Sequence, residues 1–123
     1  MSGKYVIKKE RSKYRFDIVD ENGEVVFKGA IGSTKDAVTR KIELMKSFGA
    51  DLTNHLQAVE GRNNVYVIRG EEHSAREGEQ GRVGDAIPLG FGTAQGTREE
   101  VLLTKDAILA ACDGASVVDE TGE

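Results

Sequence analysis

The stretch YRFDIVDENGEVVFKG, residues 14–29, holds the clearest structural pattern in this sequence. Its first six residues alternate between the two faces of an extended chain, with Phe16 and Ile18 on one face, which is typical of a half-buried strand. Asn22-Gly23 follows, and because both residues tolerate a positive φ the pair indicates a hairpin turn. The residues VVFKG after the turn predict the returning strand. The stretch therefore predicts two antiparallel strands.

One more strand and a helix are predicted on either side of this hairpin. The residues KYVIK at 4–8 are rich in β-branched and aromatic side chains, which favours a strand. Ser33 is a suitable helix N-cap with Asp36 at the third helical position, and Gly49 can end the helix in a left-handed conformation. The apolar stripe expected on the inner face of this helix consists of Val38, Ile42 and Met45. Residues 1–50 are therefore predicted to form one βββα unit.

A similar order of patterns recurs in the second half of the chain. The residues VYVIR at 65–69 match KYVIK at 4–8, and Thr97 with Glu100 forms a capping-box pattern at the start of a second helix. The apolar stripe of this helix has the spacing of the first one and consists of Leu103, Ala107, Ala110 and Gly114. We therefore predict a degenerate second β/α unit with a glycine-rich loop at 65–115, as in a tandem repeat.

The remaining segments are predicted to be accessory. Residues 51–64 are expected to be a connector, in which Leu52, Leu56 and Val59 could form a short helical turn. Residues 116–123 are expected to be an acidic flexible tail. The predicted fold class is α+β, with tandem ββ(β)α units that pack as an intrachain pseudo-dimer, an antiparallel sheet, and helices packed on one face of that sheet.

The first half of the chain resembles a known family. The matching residues are Tyr5-Val6-Ile7, Tyr14-Arg15-Phe16, Asn22-Gly23, Val25-Val26 and Ser33-Thr34-Lys35-Asp36-Ala37, followed by Ile42, Met45 and Lys46 on the helix. In this order they resemble the YegP-like family of small bacterial and archaeal domains of unknown function. The resemblance covers residues 4–48 and implies a three-stranded sheet with one helix, often present as tandem copies or dimers. The second half lacks the hairpin pattern, and the family has no established catalytic residues, so no catalytic role is carried over.

Composition narrows the class of protein. The chain has 123 residues and a net charge of −4, which argues against a dedicated nucleic-acid binder because phosphate neutralisation needs clustered cations. Cys112 is the only cysteine in the sequence, so no intrachain disulfide can form and a reducing cytoplasm is expected. The sequence has neither a signal-peptide pattern nor an apolar run long enough to span a membrane. We therefore expect a cytoplasmic protein without a membrane partner.

The glycine-rich stretch LGFGTAQGTREE at 89–100 has two interpretations. Amides within residues 90–98, at the start of the predicted helix, could bind an anion or a nucleotide. The residues concerned are Gly92, Gly96, Thr97 and Arg98. The spacing of the three glycines is one residue longer than a dinucleotide fingerprint, and the lysine of a Walker loop is missing. A structural loop between a strand and the helix is therefore the favoured interpretation, and the anion site is the alternative.

The basic stretch near the N-terminus also has two interpretations. Its cations could contact a polyanion, and they are Lys8, Lys9, Arg11, Lys13 and Arg15. Alternatively, these side chains only solvate a hairpin and the outer face of a strand. The second interpretation is favoured, because Tyr14 is the one aromatic residue among them and stacking platforms for nucleic acids usually need more.

No catalytic or metal-binding constellation is defined by the sequence. His55, His73 and Cys112 lack metal-ligand spacing, and His73-Ser74 has no third group to orient a base. We therefore predict a non-enzymatic binding or assembly module without a cofactor or metal, which makes protein–protein contacts with a partner or a second copy of the chain. Anion or nucleotide binding by the glycine-rich stretch is the runner-up. Polyanion contact by the basic stretch is the weaker alternative, and we do not expect a dedicated nucleic-acid binder.

Overall fold

The predicted hairpin lies at the centre of the first half of the chain. Strand β2 (Lys13–Val19) pairs antiparallel with β3 (Val25–Gly29), and Gly23 lies in the turn between them with φ +83°. A left-handed residue of this kind lets a short turn match the twist of the two strands. Strand β1 (Lys4–Glu10) pairs antiparallel with the other edge of β2. The three strands form the predicted meander.

Helix α1 (Lys35–Phe48) follows the meander, and its N-cap differs from the prediction. The N-cap is Thr34 rather than Ser33, because the Thr34 Oγ1 accepts a hydrogen bond from the Ala37 amide at 3.1 Å. Serine and threonine are both suitable N-caps, so the sequence alone does not decide between neighbours. The helix ends as predicted at Gly49, which has φ +54° and donates its amide to the Lys46 carbonyl.

The second half of the chain adds four strands and a second α-helix. The computed structural model describes residues 3–72 and 88–123. Within that part the further elements are a 3-10 helix (Gly49–His55), β4 (Leu56–Glu60), a 3-10 turn (Arg62–Asn64), β5 (Tyr66–Glu71), β6 (Pro88–Gly96), α2 (Arg98–Cys112) and β7 (Ser116–Asp119). His73, Ser74 and much of the predicted glycine-rich loop lie outside the described residues.

The described strands form one seven-stranded sheet in the order β4-β5-β6-β3-β2-β1-β7. Strands β3 and β6 pair antiparallel at the centre, so the two halves of the chain meet there. Strand β7 pairs parallel with β1, with Val117 opposite Tyr5. The sheet is therefore mixed, which corrects the predicted antiparallel sheet. Residues 116–119 were predicted to belong to a flexible tail, and this is wrong because they form β7. The β-branched residues Val117 and Val118 favour a strand, and the edge of β1 offers backbone groups to pair with.

The predicted connector at 51–64 contains strand β4. Leu56 begins this strand and lies opposite Gly70 of β5. The spacing of Leu52, Leu56 and Val59 suits a helical turn, but the hydrogen-bonding edge of β5 overrides this local preference. A short helical turn was predicted in this segment, and the 3-10 helix before β4 contains one of the predicted residues, the buried Leu52.

The glycine-rich residues 90–96 belong to strand β6 and do not form a loop. Gly90 and Gly92 lie opposite Gly29 and Phe27 of β3. Glycine usually weakens a strand, which is why a loop was expected. Here a Cβ atom on Gly90 would lie 2.6 Å from Cε1 of Phe27, so the close approach of the two central strands requires a glycine.

The matching segments KYVIK and VYVIR belong to strands in different positions. Strand β1 lies next to β7, whereas β5 lies between β4 and β6 as the middle strand of its half. Short β-branched segments recur in many buried strands, so such a match does not identify equivalent strands. In its position within three consecutive strands, β5 corresponds to β2.

Both helices pack on the same face of the sheet around one apolar core. The strands contribute the large buried side chains Tyr5, Phe16, Ile18, Phe27 and Ile68, and α1 contributes the predicted Val38, Ile42 and Met45. The stripe predicted for α2 is wrong, because Leu103 is 76% exposed and the buried residues are Val101, Ile108 and Ala111. Apolar residues occur on several sides of α2, so spacing alone does not identify its inner face.

Candidate interaction site

The helices leave the opposite face of the sheet, which we call the open face, without a covering helix among the described residues. Pairing across the strands places one row of side chains along this face. In sheet order from β7 to β4 the row consists of Val118, Val6, Asp17, Lys28, Phe91, Arg69 and Gln57. Every strand contributes one residue, so the row crosses the whole sheet and joins both halves of the chain.

Phe91 lies near the middle of this row, next to Lys28. It lies opposite Lys28 of β3 on one side and opposite Arg69 of β5 on the other, and it is 45% exposed. Gly90 and Gly92 flank it and face the core, where Phe27 and Ile68 fill the space that their side chains would need. The Gly-Phe-Gly sequence therefore combines close packing on one face with an exposed aromatic ring on the other.

Most of the cations predicted to contact a polyanion are paired with carboxylates. Asp17 is only 1% exposed and accepts contacts from Lys8 Nζ at 3.2 Å and from the Arg15 guanidinium at 2.6 Å. Arg15 also contacts Glu10 at 2.9 Å, and Lys9 contacts Glu123 at 2.7 Å. The polyanion contact stays a prediction, but these pairs reduce the charge available for it.

The remaining two cations of the basic stretch lie at the tip of the β1–β2 hairpin. Arg11 has φ +57°, and a groove of about 540 Å³ runs along this tip past Arg11 and Lys13 to Ile31. The side chain of Ile31 is 64% exposed. Tyr14 and Gly32 exchange two backbone hydrogen bonds, of 2.9 and 2.8 Å, which hold the Ile31 segment beside β2.

The predicted anion site at the start of α2 has its cap amides already occupied. The Glu100 amide donates to Thr97 Oγ1 at 3.2 Å, and the Thr97 amide donates to Glu100 Oε1 at 2.9 Å, which completes the predicted capping box. The hydrogen bond from the Thr97 amide, followed by the contact with the Thr97 side chain, lowers the pKa of the Glu100 carboxyl. Gly92 lies in the central strand pairing, and Gly96 ends β6 next to Tyr66. With Arg98, these residues stay a predicted anion site, but the Glu100 carboxylate occupies the position an anion would need.

His55 and Cys112, whose surroundings are described, both contact neighbouring side chains. His55 stacks on Phe48 with ring centroids 3.5 Å apart, and its Nδ1 lies 3.0 Å from the Glu71 carbonyl oxygen. Cys112 hydrogen-bonds with the buried Tyr5 hydroxyl, and burial raises the pKa of both groups. Among residues 3–72 and 88–123, no group of three or more His, Cys, Asp or Glu side chains is placed to hold a metal ion.

A second concavity, a cleft of about 690 Å³, lies between the C-terminal ends of the two α-helices. Its walls are mostly small or apolar and include Met45, Leu52 and Leu109. Tyr5 and Cys112 also line the cleft, but the Tyr5 hydroxyl and the Cys112 thiol form a hydrogen bond with each other. The cleft therefore offers few polar groups to orient a ligand. Neither α-helix in the described part of the chain is long and apolar enough to cross a membrane.

Two solved structures share this architecture along the whole chain. YegP from E. coli, described as a protein of unknown function, superposes with a TM-score of 0.74 and 15% sequence identity over 100% of this chain and 97% of its own. The UPF0339 protein from Shewanella oneidensis superposes with a TM-score of 0.76 and 15% identity over 100% of this chain and 95% of its own. The chain has the YegP fold. No family model and no curated protein matches its sequence.

The YegP fold extends over the second half of the chain, where the sequence pattern was weakest. The resemblance predicted from residues 4–48 is confirmed for the fold, and the superposition covers the full chain. At 15% identity it carries no residue roles across.

The sequence interpretation missed Phe91 and Ile31, two exposed apolar residues that the described part of the chain places on the open face. Phe91 lies within the stretch assigned to a loop, and its Gly-Phe-Gly alternation is the signal that indicates a strand with one exposed aromatic position. Ile31 lies between the last strand of the meander and the helix. Its exposure depends on the Tyr14–Gly32 pairing, and no local sequence pattern indicates that pairing.

Proposed function

We propose that this chain is a non-enzymatic binding module that makes protein–protein contacts through the open face, and that the partner surface combines carboxylates with apolar residues. The observation that carries the proposal is Phe91, an aromatic ring 45% exposed between Lys28 and Arg69 at the centre of the sheet. Aromatic and arginine side chains are enriched at the energetic centres of protein interfaces. Both occur here in adjacent positions.

The charge on the open face supports an acidic partner. By strand alternation, its cations are Lys4, Lys8, Lys13, Arg15, Lys28 and Arg69, and its carboxylates are Glu10, Asp17 and Glu71. Lys8 and Arg15 pair with Asp17, Arg15 also pairs with Glu10, and Arg69 Nε lies 3.1 Å from Glu71. The six cations named nevertheless exceed the three carboxylates by three charges, although the chain as a whole has a net charge of −4. Such an asymmetry steers the association of a partner of opposite charge and fixes its orientation.

Ile31 supplies a second apolar contact on the hairpin side of the same face. Because Tyr14 pairs antiparallel with Gly32, Ile31 lies opposite Arg15 and close to the groove at the hairpin tip. Isolated exposed apolar residues are common on protein surfaces. Two of them on one cationic face favour an interface that also buries apolar area over contact with a polyanion alone.

We also propose that the two halves of the chain form an intrachain pseudo-dimer derived from a tandem repeat. The helix N-caps Thr34 and Thr97 are 63 positions apart, and so are Lys28 and Phe91, which pair at the centre of the sheet. In each half, three consecutive strands precede an α-helix. On this proposal the second half of the chain supplies the strands that a second copy would supply in a dimer, so the open face is one continuous surface.

A selection from a random peptide library tests the proposed binding function. We expect the chain to enrich peptides that contain both carboxylates and an aromatic or large aliphatic residue. Phe91→Ser and Lys28→Glu should each reduce the binding of these peptides at least about tenfold, the loss typical of an interface anchor. The matched control is Leu103→Ser, which removes an exposed apolar side chain from α2 and should leave binding unchanged. The proposal is contradicted if the selected peptides are not acidic, or if Leu103→Ser weakens peptide binding as much as Phe91→Ser does.

A further inference from the structure

The C-terminal residues 116–123, which we call the resident segment, are fastened to the edge of the sheet. The first four form β7, which pairs parallel with β1. The pairing continues one residue further, because the Glu120 amide donates to the Ile7 carbonyl at 2.8 Å. Asp119 then accepts hydrogen bonds from the Thr121 amide and hydroxyl, which turns the chain toward the helix side of the hairpin.

Three side chains from three different elements receive the carboxylates of this segment. They are Lys9 of β1, Tyr14 of β2 and Lys35 of α1, and we call them the acid receptor. The Tyr14 hydroxyl lies 2.7 Å from both carboxylate oxygens of Glu123, and Lys9 Nζ lies 2.7 Å from one of them. Lys35 forms an ion pair with Asp119 and donates to the Glu123 carbonyl at 3.3 Å.

The acid receptor is arranged to read two carboxylates four residues apart in an extended acidic segment. Lys9 Nζ also lies 5.5 Å from the centre of the Tyr14 ring, so the cation and the hydroxyl approach the same carboxylate together. The contacts to Glu123 and Asp119 raise the pKa values of Lys9 and Lys35 and lower those of the two carboxyls. Charge complementarity and backbone pairing therefore act on the same ligand.

We propose that the edge of β1 and the acid receptor form a docking site for an extended acidic segment of a partner protein, and that the resident segment occupies this site in cis. Addition of a strand to a sheet edge, with side-chain pockets that select the sequence, is a recurring mode of peptide recognition. The acid receptor lies on the helix side of the β1–β2 hairpin and includes none of Lys28, Phe91 and Arg69, which carry the function proposed above. The two proposals can therefore fail separately.

The resident segment is held in a way that allows exchange. Its carboxylates and their lysine partners lie at the surface, where ion pairs are weak because water and salt screen them. Its ladder with β1 covers four residue pairs, and Val117 remains 39% exposed. A tethered segment nevertheless acts at a millimolar effective concentration, so a partner segment must compete with it.

The test uses a fluorescent peptide with the sequence SVVDETGE, that of residues 116–123, added to the full chain. In the variant Asp119→Asn/Glu123→Gln the resident segment loses the two side-chain charges that contact the acid receptor, and the peptide should bind about tenfold more tightly than to the unchanged chain. Further replacement by Lys9→Glu and Lys35→Glu should abolish this gain. A peptide with Asn and Gln in place of the two carboxylates should not bind.

A second measurement uses the unchanged chain and therefore does not depend on whether the charge variants fold. In the unchanged chain, excess SVVDETGE should shift the Glu120 amide resonance as the resident segment is displaced, while Phe91→Ser leaves this shift intact. No gain of binding in the charge-removed variant together with no Glu120 shift overturns the proposal. Equal binding of the peptide with Asn and Gln in place of the two carboxylates, or tighter binding of a single-stranded DNA oligonucleotide, also overturns it. None of these outcomes affects the library selection on the open face.

Discussion

Lys28 and Phe91 lie directly opposite each other on the two central strands, 63 positions apart in sequence. This pairing joins the first half of the chain to the second and places a cation next to an exposed aromatic ring. Arg69 lies on the other side of the ring. The candidate binding surface therefore exists only when both halves have folded together.

The two phenylalanines Phe27 and Phe91 belong to adjacent strands and face opposite sides of the sheet. Phe27 is fully buried, so Phe27→Ala should lower the free energy of unfolding by about 3–5 kcal/mol. Phe91→Ala should lower it by about 1 kcal/mol or less, because the ring is 45% exposed. Urea denaturation followed by circular dichroism measures both. A loss in Phe91→Ala as large as that in Phe27→Ala would place Phe91 in the core and remove it from the binding surface.

Gly90 should tolerate no side chain. It has φ +148°, and a Cβ atom there would lie 2.3 Å from the Lys28 carbonyl oxygen, so Gly90→Ala should cost about 3 kcal/mol of stability. Gly61→Ala is the matched control, because Gly61 has φ −103° and a Cβ atom there would meet its nearest neighbour at 3.4 Å. The control should change stability by less than about 0.5 kcal/mol in the same denaturation experiment. Similar values for the two variants would show that the central strands are less closely packed than described.

Docking of the resident segment should depend on pH at the acid end of the scale. The hydrogen bond from Lys35, with those from Thr121, lowers the pKa of Asp119 from 3.8 to about 2. A carboxyl with a lowered pKa in the folded state contributes fully above its unfolded pKa, and its contribution is lost as the pH falls through the folded pKa. The Glu120 amide resonance should therefore be constant above about pH 5 and change between about pH 4 and pH 2.

A carboxyl-carbon NMR titration measures the pKa of Asp119 directly. Lys35→Gln should return this pKa toward 3.8, whereas Lys46→Gln, at the far end of the same helix, should leave it near 2. An unchanged Asp119 pKa in Lys35→Gln would mean that the ion pair does not form in solution, and would remove one of the three members of the acid receptor.

The start of α2 should not respond to anions. In a backbone-assigned amide spectrum, a mixture of phosphate, ATP and NAD should produce no saturable shift from Gly92 to Glu99, since the capping box already uses the amides of Thr97 and Glu100. Glu100→Ala removes the competing carboxylate and is the informative comparison. Saturable shifts in the unchanged chain would restore the anion-binding alternative for Gly92, Gly96, Thr97 and Arg98.

Local patterns in the sequence were sufficient to predict the elements that depend on local contacts. The Asn22-Gly23 turn, the stop of α1 at Gly49 and the capping box of α2 are each defined by residues within one turn of each other. Strands β4, β6 and β7 depend on partners elsewhere in the chain, and none of them was fully predicted. Gly90 is an example. A glycine is needed at this position because Phe27 on the neighbouring strand leaves no space for a side chain, and no local pattern indicates that contact.

The candidate site was predictable only in part for the same reason. The basic stretch was identified, but its ion-pair partners were not. Strand register places Asp17 beside Lys8 and Arg15, and the path of the C-terminal segment places Glu123 beside Lys9. The central pairing of Phe91 cannot be obtained from residues 89–100 alone. What the sequence did contain was the alternation of glycine with one aromatic residue, which fits a strand better than a loop.

Locating a bound peptide on the chain is the decisive test of whether the open face binds acidic protein segments. An acidic peptide obtained from the library selection is titrated into isotope-labelled chain, and the amide resonances are followed. We predict saturable shifts at Lys28, Arg69 and Phe91 that disappear in Phe91→Ser and persist in Leu103→Ser. Shifts confined to the two helices, or no saturable shift on any of the seven strands, would contradict it.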